Sequence, residues 1–141
     1  MTRFVVDCGV VLRLAEEGIE LGAGHQLLAP TLLRSQTLSE LHEAVYRGEL
    51  PPDVALARLH EITRMITKLP IRLLGDAVLR RNAWQYADRL GWGETYTAEY
   101  VALTHLQADA LVTLDEELAR RLEGVVATAS IDALRAAGWR R

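Results

Sequence analysis

The sequence predicts an α/β fold, with a central, mostly parallel sheet of four to five strands and helices on both faces. Apolar, β-branched runs alternate along the chain with stretches of helical periodicity. The runs lack a clean two-residue alternation, as expected of strands covered on both sides. Half of the 141 residues are apolar, enough to bury one substantial core without disulfides or metal, so residues 1–141 are expected to form one domain.

The start, "RFVVDCGVV", reads as a buried strand up to Asp7, and "VVLRLAEEG" as a helix stopped by Gly18. "HQLLAP" is a second strand closed by Pro30. "TLLRSQTLSELHEAVYRGE" follows as a long amphipathic helix with Leu33, Leu38, Leu41 and Val45 at helical spacing, ended by Gly48. "PPDVALARLHEITRMITKL" opens with prolines and an N-cap candidate, Asp53, and stops before Pro70. "IRLLG" is a third strand, and "DAVLRRNAWQYADRLG" a helix capped by Asp76 and ended by Gly91. "ETYTAEYVALTHLQ" is a helix, "ALVTL" a strand ending on Asp115, "EELARRLEG" a helix, "VVATA" a last strand, and "SIDALRAAG" a last helix capped by Ser130.

No apolar run approaches the roughly 20 residues that cross a bilayer, and Asp7 interrupts the N-terminal apolar stretch where a signal peptide would need it continuous. A cytoplasmic protein is expected. The lone Cys8 can form neither an internal disulfide nor a cysteine-based zinc site and reads as a small buried hydrophobe. A net charge of −3 argues against indiscriminate nucleic-acid binding but leaves room for a local basic face. The four histidines are scattered and form no metal spacing.

In an open parallel sheet, ligands collect outside the carboxyl ends of the strands, and Asp7 and Asp115 both fall at such ends. Each also stands where a helix begins, and an N-cap aspartate, worth about 1 kcal/mol, needs no further function. As a pair they are harder to explain that way. Two carboxylates on one sheet edge repel unless a cation holds them, and hard oxygen ligands suit Mg²⁺ or Mn²⁺. On the long helix, Gln36, Glu40 and Glu43 share one stripe; Glu43 reads as an ordinary partner of Arg47, while Glu40, between Leu38 and Leu41, is expected at the edge of the buried face. Glu94 and Glu99 are acids near a helix start, where negative charge is favourable in any case.

"FVVDCGVVLRL", "LLAPTLLRSQTLSELHEAVYRGEL" and "TYTAEYVALTHLQADALVTLDEEL" resemble, in order and spacing, the three landmarks of the PIN domain, and more narrowly the VapC-type toxin ribonucleases of toxin–antitoxin pairs. The resemblance runs from residue 4 to about residue 134 and is strongest in the last segment, where a helix, a small-residue turn and a strand ending in Thr-x-Asp follow the family pattern. It implies a three-layer PIN-like fold and an Mg²⁺- or Mn²⁺-dependent endoribonuclease, with a VapB-type antitoxin and RNA as partners and a homodimer as the assembly. The first family aspartate falls on Asp7, the late one on Asp115, and the hydroxyl before it on Thr113.

Two acidic positions depart from the pattern. The middle-helix glutamate slot holds Gln36, and the Tyr-Asp-Ala of the penultimate helix reads Tyr96-Thr97-Ala98, with Thr97 in the aspartate slot. Two carboxylates, a glutamine carbonyl and a threonine hydroxyl still offer oxygen ligands, but with less charge to offset dehydration of the ion, so weaker binding is expected. Glu40, one turn beyond Gln36, and Glu94, three residues before Thr97, are near enough in sequence to compensate, and Glu40 joins Asp7, Asp115 and Thr113 as a catalytic candidate. The alternative is a PIN domain impaired in catalysis that serves as an RNA- or antitoxin-binding module. A nucleotide-binding domain is disfavoured by the lack of a glycine-rich phosphate loop.

Of the remaining surface, Leu50, Leu56, Leu59, Ile62 and Met65 on the helix pair would either cover the sheet or form a groove for an antitoxin helix or a dimer contact. Trp84, Tyr86 and Trp92 are expected in the core rather than stacked on bases. Trp139, Arg140 and Arg141 read as loose phosphate contacts or a disordered end.

Overall fold

The computed structural model describes residues 1–19, 21–67 and 71–135. Its centre is a five-stranded, all-parallel sheet in the order β3-β2-β1-β4-β5. The strands are β1 (Thr2–Val6), β2 (His25–Pro30), β3 (Ile71–Leu74), β4 (Ala110–Val112) and β5 (Thr128–Ala129). Between them lie α1 (Cys8–Glu17), α2 (Leu33–Tyr46), α3 (Pro52–Thr67), α4 (Ala77–Leu90), α5 (Tyr96–Gln107) and α6 (Glu116–Arg121).

The chain starts in the middle of the sheet, moves outward through β2 to β3, then crosses back to β4 on the far side of β1. Parallel crossovers are right-handed, so connections that travel in opposite directions along a sheet lie on opposite faces. That separates α1, α2 and α3, which pack on one another, from α5, which lies against β1, β2 and β4 with α4 behind it. Buried between two helix layers, β4 and the second half of β1 are apolar on both faces: Val5, Val6, Leu111 and Val112 are all inaccessible to solvent. The weak amphipathicity of α5 has the same cause, since Ala98, Tyr100, Val101, Ala102, Leu103 and Thr104 are buried around most of its circumference.

Several boundaries differ from the sequence reading. The last strand is Thr128–Ala129 rather than 125–129, because the amides of Val125 and Val126 both donate to the Leu122 carbonyl and finish the turn after α6. The last helix is a 3₁₀ turn, Ile131–Leu134, and Ser130 stands at its N-cap without a side-chain hydrogen bond; residues 136–138 of that prediction lie outside the described residues. So do the stop at Pro70 and the C-terminal Trp139, Arg140 and Arg141. Asp53 sits within the first turn of α3, behind Pro52 as first helical residue, and not at the cap. The predicted Asp76 cap and Gly91 stop are present: Asp76 accepts from the Leu79 amide, and Gly91 takes the left-handed conformation (φ 74°) that ends α4.

Side chains on the helix pair divide. Ile62 and Met65 join the core, Leu50 and Leu59 are half-buried, and Leu56 is exposed. Leu38, expected on the buried face of α2, is 53% exposed; that face is formed by Leu33, Thr37 and Leu41. Among the described residues no helix is long and apolar enough to cross a membrane.

Candidate active site

β1 ends at Val6 and β4 at Val112, paired side by side, and the Asp7 amide still donates to the Val112 carbonyl at 3.4 Å. The next residues of both strands therefore emerge on one sheet edge, where strand order reverses around β1. Each aspartate turns its strand into a helix. Oδ1 of Asp7 accepts from the Val10 amide at 3.0 Å, and Oδ1 of Asp115 from the Leu118 amide at 3.0 Å. One oxygen of each carboxylate thus satisfies a free helix N–H, and the charge is favoured by the helix dipole.

The pair faces a cleft of about 190 Å³ lined by Asp7, Cys8, Gln36, Thr97, Tyr100 and Asp115. Asp7 and Asp115 make its sheet-edge wall, and Gln36 from α2 with Thr97 and Tyr100 from α5 make its helical wall. Thr113, buried just after β4, links the two acids: its hydroxyl hydrogen-bonds the Asp7 carboxylate and accepts from the Asp115 amide at 3.1 Å. Burial pushes the Asp7 carboxyl above its usual range, the hydrogen bonds from Thr113 and Val10 oppose that, and the Asp115 charge adds to the rise. Cys8, half-buried beside Glu40 and Asp7, has its thiol pushed up to about 12 by desolvation first and those charges second, so at neutral pH it is an uncharged spacer.

Tyr100 is a site residue that the sequence reading missed. Its ring is buried, and its hydroxyl donates to Oε1 of Gln36 at 2.5 Å, tying α5 to α2. Burial raises the phenol pKa, with the neighbouring Cys8, Asp7 and Glu99 charges adding to the effect, so it remains a donor. The signal for it was spacing: Tyr100 follows Thr97 by three residues, so a helix that turns one toward the cleft turns the other there too.

The proposed substitutes do not enter the cleft. Glu94 is exposed, and its Oε2 accepts from the Tyr96 amide at 2.7 Å, which makes it a cap for α5. Glu40, expected at the edge of the buried face, is exposed on α2; it borders an adjoining depression of about 310 Å³ that shares Cys8 and Gln36 with the cleft and also includes Ser39 and Tyr96. Glu43 makes its pair with Arg47 at 4.0 Å. Glu99 lies on the far flank of α5 with Arg80 and Trp84. Among the described residues no three acidic, histidine or cysteine side chains converge as a metal-binding group. The oxygens that do converge are those of Asp7 and Asp115 plus the neutral Gln36 and Thr97, an all-oxygen set whose chemistry fits Mg²⁺ or Mn²⁺ with water completing the shell.

Two further surfaces complete the geometry. An apolar groove of about 290 Å³ runs between α2 and α3, lined by Leu38, Leu41, Val45, Ala55, Leu56 and Leu59. Of the three aromatics expected in the core, Tyr86 is buried and Trp92 is half-buried beneath the Arg121 guanidinium (5.8 Å), but Trp84 is 67% exposed.

An all-parallel five-stranded sheet in this order, flanked by helices, matches PIN-like solved structures. The chain superposes on the crystal structure of PAE2754 from Pyrobaculum aerophilum with a TM-score of 0.68 and 18% identity, covering 94% of this chain and 92% of that one. It superposes on VapBC-1 from nontypeable Haemophilus influenzae with a TM-score of 0.60 and 12% identity, covering 93% of this chain and 99% of that one. No family model matches the sequence, and no curated protein matches it. The fold likeness is therefore carried by structure.

Proposed function

We propose that the protein is a divalent-metal-dependent endoribonuclease, the toxin of a VapBC-type toxin–antitoxin pair. The observation that carries this reading is the meeting of Asp7 and Asp115 in one cleft with Gln36 and Thr97, on a fold similar to VapBC-1. Asp7 and Asp115 would hold the ion through the oxygens left over from helix capping, with Gln36 and Thr97 contributing neutral oxygens or orienting water. Bound Mg²⁺ or Mn²⁺ would supply the positive charge that offsets the phosphate and activates the attacking water. Thr113 keeps the Asp7 carboxylate oriented and lowers its pKa against the opposing effect of burial. Tyr100 holds the Gln36 oxygen in place, which leaves that amide's N–H₂ free to donate to a phosphate oxygen. Glu40 lies beside the cleft entrance, where it could relay a proton through water.

Under this reading the apolar groove between α2 and α3 takes a helix of a VapB-type antitoxin, whose i, i+3, i+4 apolar side chains such a groove suits, and the protein works in the cytoplasm as a homodimer. The test is cleavage of a structured RNA at millimolar Mn²⁺, paired with an Mn²⁺-soaked crystal read by anomalous signal. Cleavage lost in Asp7→Asn, with Mn²⁺ beside Asp7 and Asp115, is the expected result; cleavage that survives Asp7→Asn overturns it. The neutral Gln36 and Thr97 favour one second reading, an impaired PIN domain retained for RNA or antitoxin binding. That reading requires intact RNA and no Mn²⁺ between the aspartates in the same experiments.

A further inference from the structure

The exposed Trp84 needs an explanation that the cleft does not provide. On α4, Ala77, Arg80, Arg81 and Trp84 follow one another at one-turn spacing and form one wall of a groove of about 710 Å³; Thr95 and Glu99 of α5 form the other. Trp84 exposes 67% of its surface, whereas Tyr86, two residues on, is buried. An indole left in water on a well-ordered helix contributes little to the fold.

The two arginines beside it make no close ion pair, although the Arg80 charge is felt by Glu99. Arg13, Arg47, Arg64 and Arg135 each pair with a carboxylate, while among the described residues neither Arg80 nor Arg81 forms an ion pair. In a chain of net charge −3, two unpaired guanidiniums flanking a bare indole are a local reversal of sign. Glu99 opposes it in part; burial raises its carboxyl pKa and Arg80 pulls it back. A flat aromatic face with planar cations on either side suits a stack of bases with phosphates alongside better than it suits a protein segment, which would have to bring carboxylates toward Glu99.

The groove and the cleft share no lining residue, but both border the start of α5. The first turns of that helix present Thr95 and Glu99 to the groove, Thr97 and Tyr100 to the cleft, and the exposed Tyr96 to the depression beside Glu40. A strand crossing the start of α5 would touch all three. We propose that the Arg80–Arg81–Trp84 face of α4 is a contact for single-stranded RNA, taking up nucleotides that extend beyond the cleft. This rests on the ribonuclease reading for its ligand, but it is a statement about binding, which can be measured without cleavage.

The experiment is fluorescence anisotropy of a labelled 12-mer oligouridylate with the intact protein in EDTA, across a salt series. Trp84→Ala is expected to weaken binding roughly 10-fold, the loss of one stacked base, with Trp84→Phe recovering most of it. Arg80→Ala with Arg81→Ala should weaken binding and reduce the slope of log K against log salt by about 1.4, two phosphate contacts on a single strand. Glu99→Gln should tighten binding. Thermal melts equal to wild type exclude misfolding of the variants. A wild type that does not bind the oligonucleotide, a Trp84→Ala affinity within twofold of wild type, or an unchanged salt slope in the double variant overturns the proposal. RNA that is cut by wild type and Trp84→Ala alike, at equal affinity, removes this surface and leaves the ribonuclease standing; RNA that binds through Trp84 but is never cut does the reverse.

Discussion

The two walls of the cleft are built differently. On the sheet-edge wall, Asp7 and Asp115 are bound into the backbone: each ends a strand, caps a helix through one oxygen, and is joined to the other through Thr113. On the helical wall, Gln36 and Thr97 project from helix faces, and among the described residues the only side-chain hydrogen bond of either is the one from Tyr100 to Gln36. A carboxylate on the first wall therefore has a structural task whether or not it binds a cation. On the second wall a charge would have only its chemistry to justify it, and both positions are neutral. The site combines a rigid acidic half with an uncharged half that loses nothing structural by being so.

The comparison breaks most decisively at Asp7. Asp7→Asn keeps an oxygen for the Val10 amide but removes the charge, so RNA cleavage should fall to background, while the metal-free protein, relieved of a desolvated carboxylate, melts at the same temperature or higher. A lowered melting temperature would mean that the charge itself holds the edge together. Asp7→Ala also removes the cap and should cost about 1 kcal/mol in chemical denaturation.

The next effect is a gain on the neutral wall. Thr97→Asp places a third carboxylate in the cleft and should tighten Mn²⁺ binding at least about tenfold by calorimetry, since even a partly solvated charge a few ångströms from the ion contributes on the order of 1 kcal/mol or more. Gln36→Glu should gain less, because the oxygen already engaged by Tyr100 keeps that hydrogen bond. An affinity unchanged by either would show that the helical wall does not face the ion.

A pH dependence follows from the sign of the Asp7 shift. Its folded pKa lies above the ordinary 3.8, so between those values the folded chain holds a proton that the unfolded chain has lost. Metal-free stability should then fall as pH rises through that window, while cleavage, which needs the carboxylate, should rise through it. Opposite trends in melting temperature and rate are the expected record. The smallest effects on metal binding belong to the two acids outside the cleft. Glu94→Gln should leave Mn²⁺ affinity within twofold and cost a few tenths of a kcal/mol as a weakened cap, and Glu40→Gln should alter rate without altering metal affinity.

Much of this was readable from the chain because it depends on backbone direction. Strand ends follow from apolar runs, and a residue at a strand end is placed by topology alone, so Asp7 and Asp115 could be assigned to one edge without knowing a single rotamer. Thr113 came from the resemblance to the family's Thr-x-Asp pattern and not from the strand pattern itself. What could not be read was which way side chains leave a helix. Glu40 and Glu94 are near the site in sequence, but one projects to solvent and the other folds back on the Tyr96 amide. Tyr100 escaped notice because a buried tyrosine looks like core until its hydroxyl partner on another helix is known. Trp84 failed in the opposite direction: aromatic content on an amphipathic helix suggests burial, and only the packing of α4 on α5 shows which stripe faces outward.

The pairing of β1 with β4 has a temporal side. Val5 stands beside Leu111, and the Arg3 amide bonds the Asp109 carboxylate 106 residues away, so β1 waits for the much later β4 before its second edge is covered. Contacts of such separation carry a large loop-closure entropy and slow folding. During synthesis Asp7 exists long before Asp115, and the sheet-edge half of the cleft is assembled only once residue 115 has been added.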